Sequence, residues 1–385
     1  MHVLLVCSEL SLGGAERYLI NLANSLVERD IKVTMAYGGP MQHTPGPLDE
    51  VRHLEINPCR RFGRLGPFRL IVDLPVGKRF YRYIHDTNVD IVNTVMFDIG
   101  IWCWLVDRFL GVTTVHTPMH VFGNYLPIER LLIGSRVGTN VIKLLGLNFI
   151  AVSDYYAWEL TNLGKVPANL IHTASLGVDL EKFRIKSADD GIRKALGLGQ
   201  GPVIGSIGRL HQVKGHHKIV ASMPEILKAC PKAQLLLVGD GPEHDNLQRQ
   251  ARQLNVEDSV IFAGWRTDTA EATALMDVYI QTTDGPNLGL SVLQAMAQGK
   301  PVVCYAKDHL ERQMAADTVH EGINGHIVLT NESDKAGEII GKMLIDNQRL
   351  KEMGLASRKL VEERFDWQLH VSKVIETYQR LIYRS

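Results

Sequence analysis

Short runs of apolar residues alternate along this chain with longer stretches in which apolar positions recur every three or four residues. The runs occupy 2–7, 31–37, 89–95, 113–116 and 148–152, then 203–207, 234–238, 260–262, 278–281 and 301–305. They are rich in Val, Ile and Leu with little polar alternation, which predicts strands covered on both faces. The stretches between them, including 15–27, 215–228 and 242–254, carry their apolar residues on one helical face. Regular alternation of strand and helix implies an α/β fold on parallel sheets with helices on both sides.

The pattern runs through the chain twice, with an interruption between. Lys186, Ser187, Asp189 and Asp190 form a polar stretch before Gly191, and 197–202 is rich in glycine. Such composition marks a connection. A length of 385 residues suits two cores better than one. The expected organisation is a first domain over 1–180, a linker over 181–199 and a second domain over 200–366. Beyond it, Val371, Val374, Ile375, Tyr378, Leu381 and Ile382 share one face of a helix that Asp366 is placed to cap.

Composition narrows the function classes. Lys plus Arg and Asp plus Glu number 42 each, so no global field selects nucleic acid, and no nucleic-acid module is recognisable. The five cysteines are scattered, without a Cys-x-x-Cys pair or a Cys/His cluster. That pattern implies no metal site, and reduced thiols in a cytoplasmic setting are expected. The first residues lack the basic start and small-residue cleavage site of a signal peptide. The apolar segment 99–106, between Asp98 and Asp107, is too short to span a bilayer.

Charge is nonetheless uneven. Residues 52–82 hold Arg52, Arg60, Arg61, Arg64, Arg69, Lys78, Arg79 and Arg82 against Glu55 and Asp73, a local charge of +6. Phe62, Phe68, Phe80 and Tyr81 are interleaved. The mixture suits the surface of an anionic membrane. A helical connection with a solvated basic face has the same composition.

The candidate chemistry lies where runs end. The run 203–207 is followed by Gly208, Arg209 and Lys214, and then by a helix. Two cations near a helix N-terminus make a site for a diphosphate. Gly13-Gly14 follows the first run directly and lets backbone N–H groups approach an anion. His116 ends the run 113–116, at the strand edge where ligands of open α/β sheets gather. A partly buried histidine satisfied by backbone is the competing reading. Gly239-Asp240-Gly241-Pro242 turns the chain after 234–238, and Gly264-Trp265 follows 260–262.

Gly208-Arg209 with Lys214-Gly215, the opening Gly13-Gly14-Ala15-Glu16 and the stretch from Asn287-Leu288-Gly289 to Gln298-Gly299-Lys300-Pro301 together resemble the retaining glycosyltransferases of family four. The resemblance spans nearly the whole chain. It implies the GT-B fold, two Rossmann-like domains facing a cleft, with a terminal helix over 367–385 crossing back onto the first, acceptor-binding domain. It implies transfer of a sugar from a nucleotide-diphosphate donor to a glycan or lipid-linked acceptor, with no metal or other cofactor. Arg209, Lys214 and His116 are then the catalytic candidates. Gly13, Gly14, Gly241, Asn287, Leu288, Gly289 and Gln294 are the donor-binding ones, with Gln294 at the ribose. The chain departs from the family at two carboxylates: Pro286 and Gln294 stand where the family has Glu, and Asp284 is out of register. A family member that binds a nucleotide sugar or a partner without turnover is the alternative.

Overall fold

The computed structural model describes residues 1–7, 14–37, 49–55, 74–95, 110–118, 140, 142, 147–283 and 289–383. The chain divides into two compact units, one of 1–175 with 369–385 and one of 176–368.

The first unit holds strands β1 (His2–Val6), β2 (Lys32–Tyr37), β3 (Arg52–Glu55), β4 (Ile91–Thr94), β5 (Thr113–His116), β6 (Asn148–Ala151) and β7 (Ile171–Thr173). They form one parallel sheet in the order β3-β2-β1-β4-β5-β6-β7. Helices α1 (Gly14–Val27), α2 (Leu74–Thr87) and α3 (Asp154–Asn162) belong to it. Every residue of β1 is buried, as a strand covered on both faces requires. The register pairs Val3 with Val33 on β2 and with Ile91 on β4.

The second unit contains α4 (Asp190–Ala195), β8 (Val203–Ile207), α5 (His217–Ala229), β9 (Gln234–Val238), α6 (His244–Gln253), β10 (Val260–Phe262), α7 (Thr269–Ala274) and β11 (Val278–Gln281). It continues through α8 (Gly289–Ala297), β12 (Val302–Ala306), α9 (His309–Ala315), β13 (Gly325–Leu329), α10 (Ser333–Ile345) and α11 (Asn347–Arg364). Its parallel sheet runs β10-β9-β8-β11-β12-β13. Alternate residues of these strands feed two cores. Ile204, Leu235, Leu237, Ile280 and Val303 pack with Ile219, Val220 and Met223 of α5. Val203, Leu236, Tyr279, Val302 and Cys304 pack with Val292 and Met296 of α8. A period of two on each strand thus builds a three-layer α/β sandwich.

Helix α12 (Trp367–Ile382) starts at the end of the second unit and lies mostly in the first. Val371, Val374 and Tyr378 are wholly buried there. Asn93 on β4 donates to the Tyr378 hydroxyl at 2.5 Å. The two places where the chain changes unit run side by side. Val178 N–H donates to Phe365 O at 2.8 Å, and Trp367 N–H donates to Val178 O at 3.0 Å.

Two expectations need correction. Residues 181–199 are not a free linker but part of the second unit. The Arg358 guanidinium donates to Phe183 O at 3.3 Å and Ala297 O at 2.7 Å, and Asp189 caps α4 by accepting Ile192 N–H at 2.9 Å. For the basic segment 52–82, expected as basic residues among exposed aromatics or as a helical connection with a solvated basic face, the described residues correct two details. Residues 52–55 form β3, and 56–73 lie outside the described residues. Phe80 on α2 is wholly buried, while Tyr81 beside it is exposed. No helix among the described residues is long and apolar enough to cross a membrane.

Candidate functional site

In the second sheet the chain leaves β8 toward β9 on one side and leaves β11 toward β12 on the other. The carboxyl ends of β8 and β11 therefore flank the point where strand order reverses, the usual ligand position in such sheets. The loop after β8 carries Arg209 and Lys214. Gly208 N–H donates to Val238 O and Leu210 N–H to Asp240 O, both at 2.9 Å, so this loop is stitched to the one after β9. The stitching needs glycine. A Cβ on Gly239 would stand 2.0 Å from Gly208 O, and one on Gly241 would stand 2.3 Å from Leu210 O, with both φ values positive. Gly241, expected near the base, thus shapes the floor on which Arg209 stands.

Between Gln212 and Lys214 the chain makes one 3-10 turn, capped at its start by His211 and ended by Gly215 at φ 65°. Lys214 is then fixed from below. The Thr282 hydroxyl, at the end of β11, donates to Lys214 O at 2.7 Å. Lys218, buried in the first turn of α5, donates to Thr282 O at 3.2 Å. Arg209 is exposed and Lys214 half-buried. Neither side chain has a hydrogen-bond or ion-pair partner among the described residues. Burial lowers the Lys214 ammonium below its ordinary range. Two cations without a counter-charge among the described residues, one partly desolvated, attract an anion strongly.

His216 packs beneath them, 4% exposed. Burial first, then the charges of Lys214 and His217, lower its imidazole to about 4. The Tyr279 hydroxyl joins β11 to the end of β8, donating to Ile207 O at 3.3 Å. The same hydroxyl accepts Ile207 N–H at 3.3 Å. Gly289 opens α8 at φ 70°, and Gln294 is half-buried one turn on. Asn287, Leu288, Pro286 and Asp284 lie outside the described residues. Beside the loops after β9 and β10, a pocket of about 510 Å³ is lined by Asp240, Gly241, Pro242, His244, Phe262 and Gly264.

In the first unit, Gly14 is the first residue of α1, directly after β1, and Gly13 lies outside the described residues. His116 closes β5 but is 1% exposed. Its Nδ1 is 2.8 Å from Thr94 Oγ1, and its ring meets Phe149 edge-on at 6.0 Å. A ring held this way is a core histidine. The expected place beside the sugar is therefore not an exposed one.

Sequence reasoning found the two cations but not Thr282, Lys218 or His216, which hold or underlie them. A lysine among the apolar positions of α5 was the available signal for Lys218.

Two family models match in succession. Glycosyltransferase Family 4 matches over 12–182, and Glycosyl transferases group 1 over 189–360. Between them they account for most of the chain. A GDP-mannose-dependent alpha-(1-6)-phosphatidylinositol monomannoside mannosyltransferase of Mycobacterium tuberculosis is 30% identical over 54% of this chain and 56% of its own length. The chain thus spans little more than half of that relative. A phosphatidyl-myo-inositol mannosyltransferase of the same organism is 29% identical over 77% of this chain and 72% of its own. Among solved structures, HepE of Anabaena in complex with UDP is 22% identical at a TM-score of 0.81. That match covers 99% of this chain and 100% of the other, and the likeness is one of fold.

Proposed function

The chain belongs to glycosyltransferase family four, and from that premise we propose that it moves a sugar from a nucleoside-diphosphate donor to an acceptor hydroxyl with retention at the anomeric carbon. The observation that carries this reading is the pair of cations, Arg209 and Lys214, unpartnered among the described residues, at the strand-order reversal of the second sheet. In the reaction the bond from anomeric carbon to phosphate oxygen breaks, and its electron pair leaves with the diphosphate. The acceptor oxygen bonds the same face of the sugar. Its proton passes to the departing phosphate oxygen, so no carboxylate is required as base at the positions of Pro286 and Gln294. Arg209 and Lys214 stabilise the charge that grows on the diphosphate. Gly241 borders the base, Gln294 the ribose, and the backbone at Gly289 the donor's polar groups.

The acceptor we propose is lipid-linked. Lys78, Arg79 and Arg82 are exposed on α2 beside Tyr81 and suit an anionic bilayer surface. The names of the mannosyltransferase relatives point to lipid acceptors. The cation pair takes the role that a divalent metal would otherwise fill.

Thermal shifts with UDP, GDP, ADP and their sugar conjugates test the donor site. One base family should stabilise the protein, by about 2.7 kcal/mol at a hundredfold excess over Kd. Arg209→Ala or Lys214→Ala should abolish that shift and lower turnover about a hundredfold. Turnover should survive EDTA. A protein that responds to no nucleotide is not this transferase. One that binds a nucleotide but turns over no acceptor is a binding protein.

A further inference from the structure

Resting on the diphosphate site proposed above, we infer that Lys218 is a positioning residue for that site: through Thr282 it holds the root of the Lys214 side chain where the diphosphate needs a cation. Lys218 stands in the first turn of α5 among Ile219, Val220, Ser222 and Met223, all buried, and is itself 6% exposed. Lysine is rarely buried this far, because the ammonium loses its hydration. Methionine would fill the same place without that cost. The ammonium instead reaches across to the end of another strand. Its Nζ donates to Thr282 O at 3.2 Å, 64 residues away in sequence.

The bonds close a ring. Thr282, 1% exposed, donates its hydroxyl to Lys214 O at 2.7 Å. Lys218 N–H donates to Gly215 O at 3.0 Å, and Gly215 follows Lys214 directly. Lys218 Cε and Nζ each lie 3.2 Å from the point where a Cβ on Gly215 would stand, so the lysine stem runs against the ring's own glycine. The helix side of the ring is anchored as well. The Ser222 hydroxyl donates to Lys218 O at 3.1 Å and is 2.8 Å from the Tyr305 hydroxyl on β12. A closed ring leaves the Lys214 backbone little freedom, and a cation held in place before the anion arrives loses less entropy on binding it. Lys218 touches no ligand in this scheme and acts through Thr282.

The test is calorimetric titration of UDP, GDP and ADP, and of the matching nucleosides, into wild type, Lys218→Met, Thr282→Val, the combination of those two, and Thr282→Ser. For the diphosphate that binds wild type, Lys218→Met and Thr282→Val should each weaken binding about 10-fold. Thr282→Ser keeps the hydroxyl and should recover most of the affinity. The combined variant should bind no worse than the weaker single one, because either change opens the same ring. Nucleoside binding, which does not use Lys214, should not change. Wild-type affinity in Lys218→Met overturns the inference. So does a combined loss of about 100-fold, which would mean that the buried charge acts independently of Thr282. A parallel loss of nucleoside binding overturns it too, by assigning Lys218 to the stability of the fold alone. If Lys218→Met does not fold, Thr282→Val and Thr282→Ser decide, and equal diphosphate affinity in these two overturns the inference. Absence of diphosphate binding by wild type overturns instead the donor site itself.

Discussion

The hydroxyl of Thr282 holds Lys214 by its backbone, and Lys218 holds Thr282 in turn. The position of Lys214 is thus decided by a residue just after β11, far away in sequence. The buried histidines carry a second residue-scale consequence. His370 Nδ1 faces Ser175 O at 2.9 Å, so this nitrogen bears the proton, and Nε2 accepts from the Tyr18 hydroxyl at 3.1 Å. Burial lowers His370 to about 4, while an unfolded chain takes up its proton near 6.5. Between those values the unfolded state binds more protons, so stability rises with pH. The contribution is complete above 6.5 and is lost as pH falls toward 4, about 3 kcal/mol in all. Denaturant melts from pH 4.5 to 7 should show this slope, and His370→Gln should flatten it by about one proton. The pairing of residues in one loop was legible where sequence neighbours make it, as at Arg209 and Lys214. Pairing was not legible at Thr282, 68 residues from its partner, or at His370, 195 residues from Ser175, because only folding brings those groups together.

Among elements, the turn from β8 to α5 is the most constrained. Gly215 sits at φ 65°, and a Cβ there would stand 2.2 Å from Thr282 O, a backbone atom. Gly215→Ala should therefore cost about 3 kcal/mol and abolish nucleotide binding, measured by urea melts and thermal shift. The central strands could be read from the sequence because burial on both faces writes an unbroken apolar run. Strands β8, β9 and β11 match the expected runs residue for residue, as does β10, an edge strand whose three residues are all apolar. Strands β3, β7 and β13 could not, and all three lie at sheet edges. An edge strand is paired on one side only and tolerates polar residues, as Arg-His-Leu-Glu of β3 shows.

For the whole molecule, the division into units was partly legible. The repeat of the strand–helix pattern gave two cores, but a polar composition misplaced the boundary. Residues 181–199 look like a linker because their polar and glycine-rich composition hides four spaced apolar anchors, Phe183, Ile192, Leu196 and Leu198, which pack into the second unit's core, and because their hydrogen bonds run to the distant Arg358. Helix α12 supplies buried side chains to the first unit from the far end of the described chain. Deleting 369–385 should strip hydrogen-exchange protection from β1 and β4 and leave that of β8, β9 and β11 largely intact. Equal loss in both sheets would contradict this.

That arrangement also sets an order of events on the ribosome. The second unit is continuous at 176–368 and can close as soon as it is made. The first cannot, because Asn93 waits for Tyr378, 285 residues later. At roughly 5–20 residues per second that wait is on the order of tens of seconds. The half of the chain born first is completed last, and a nascent apolar floor around β4 is what a chaperone would meet in the interval.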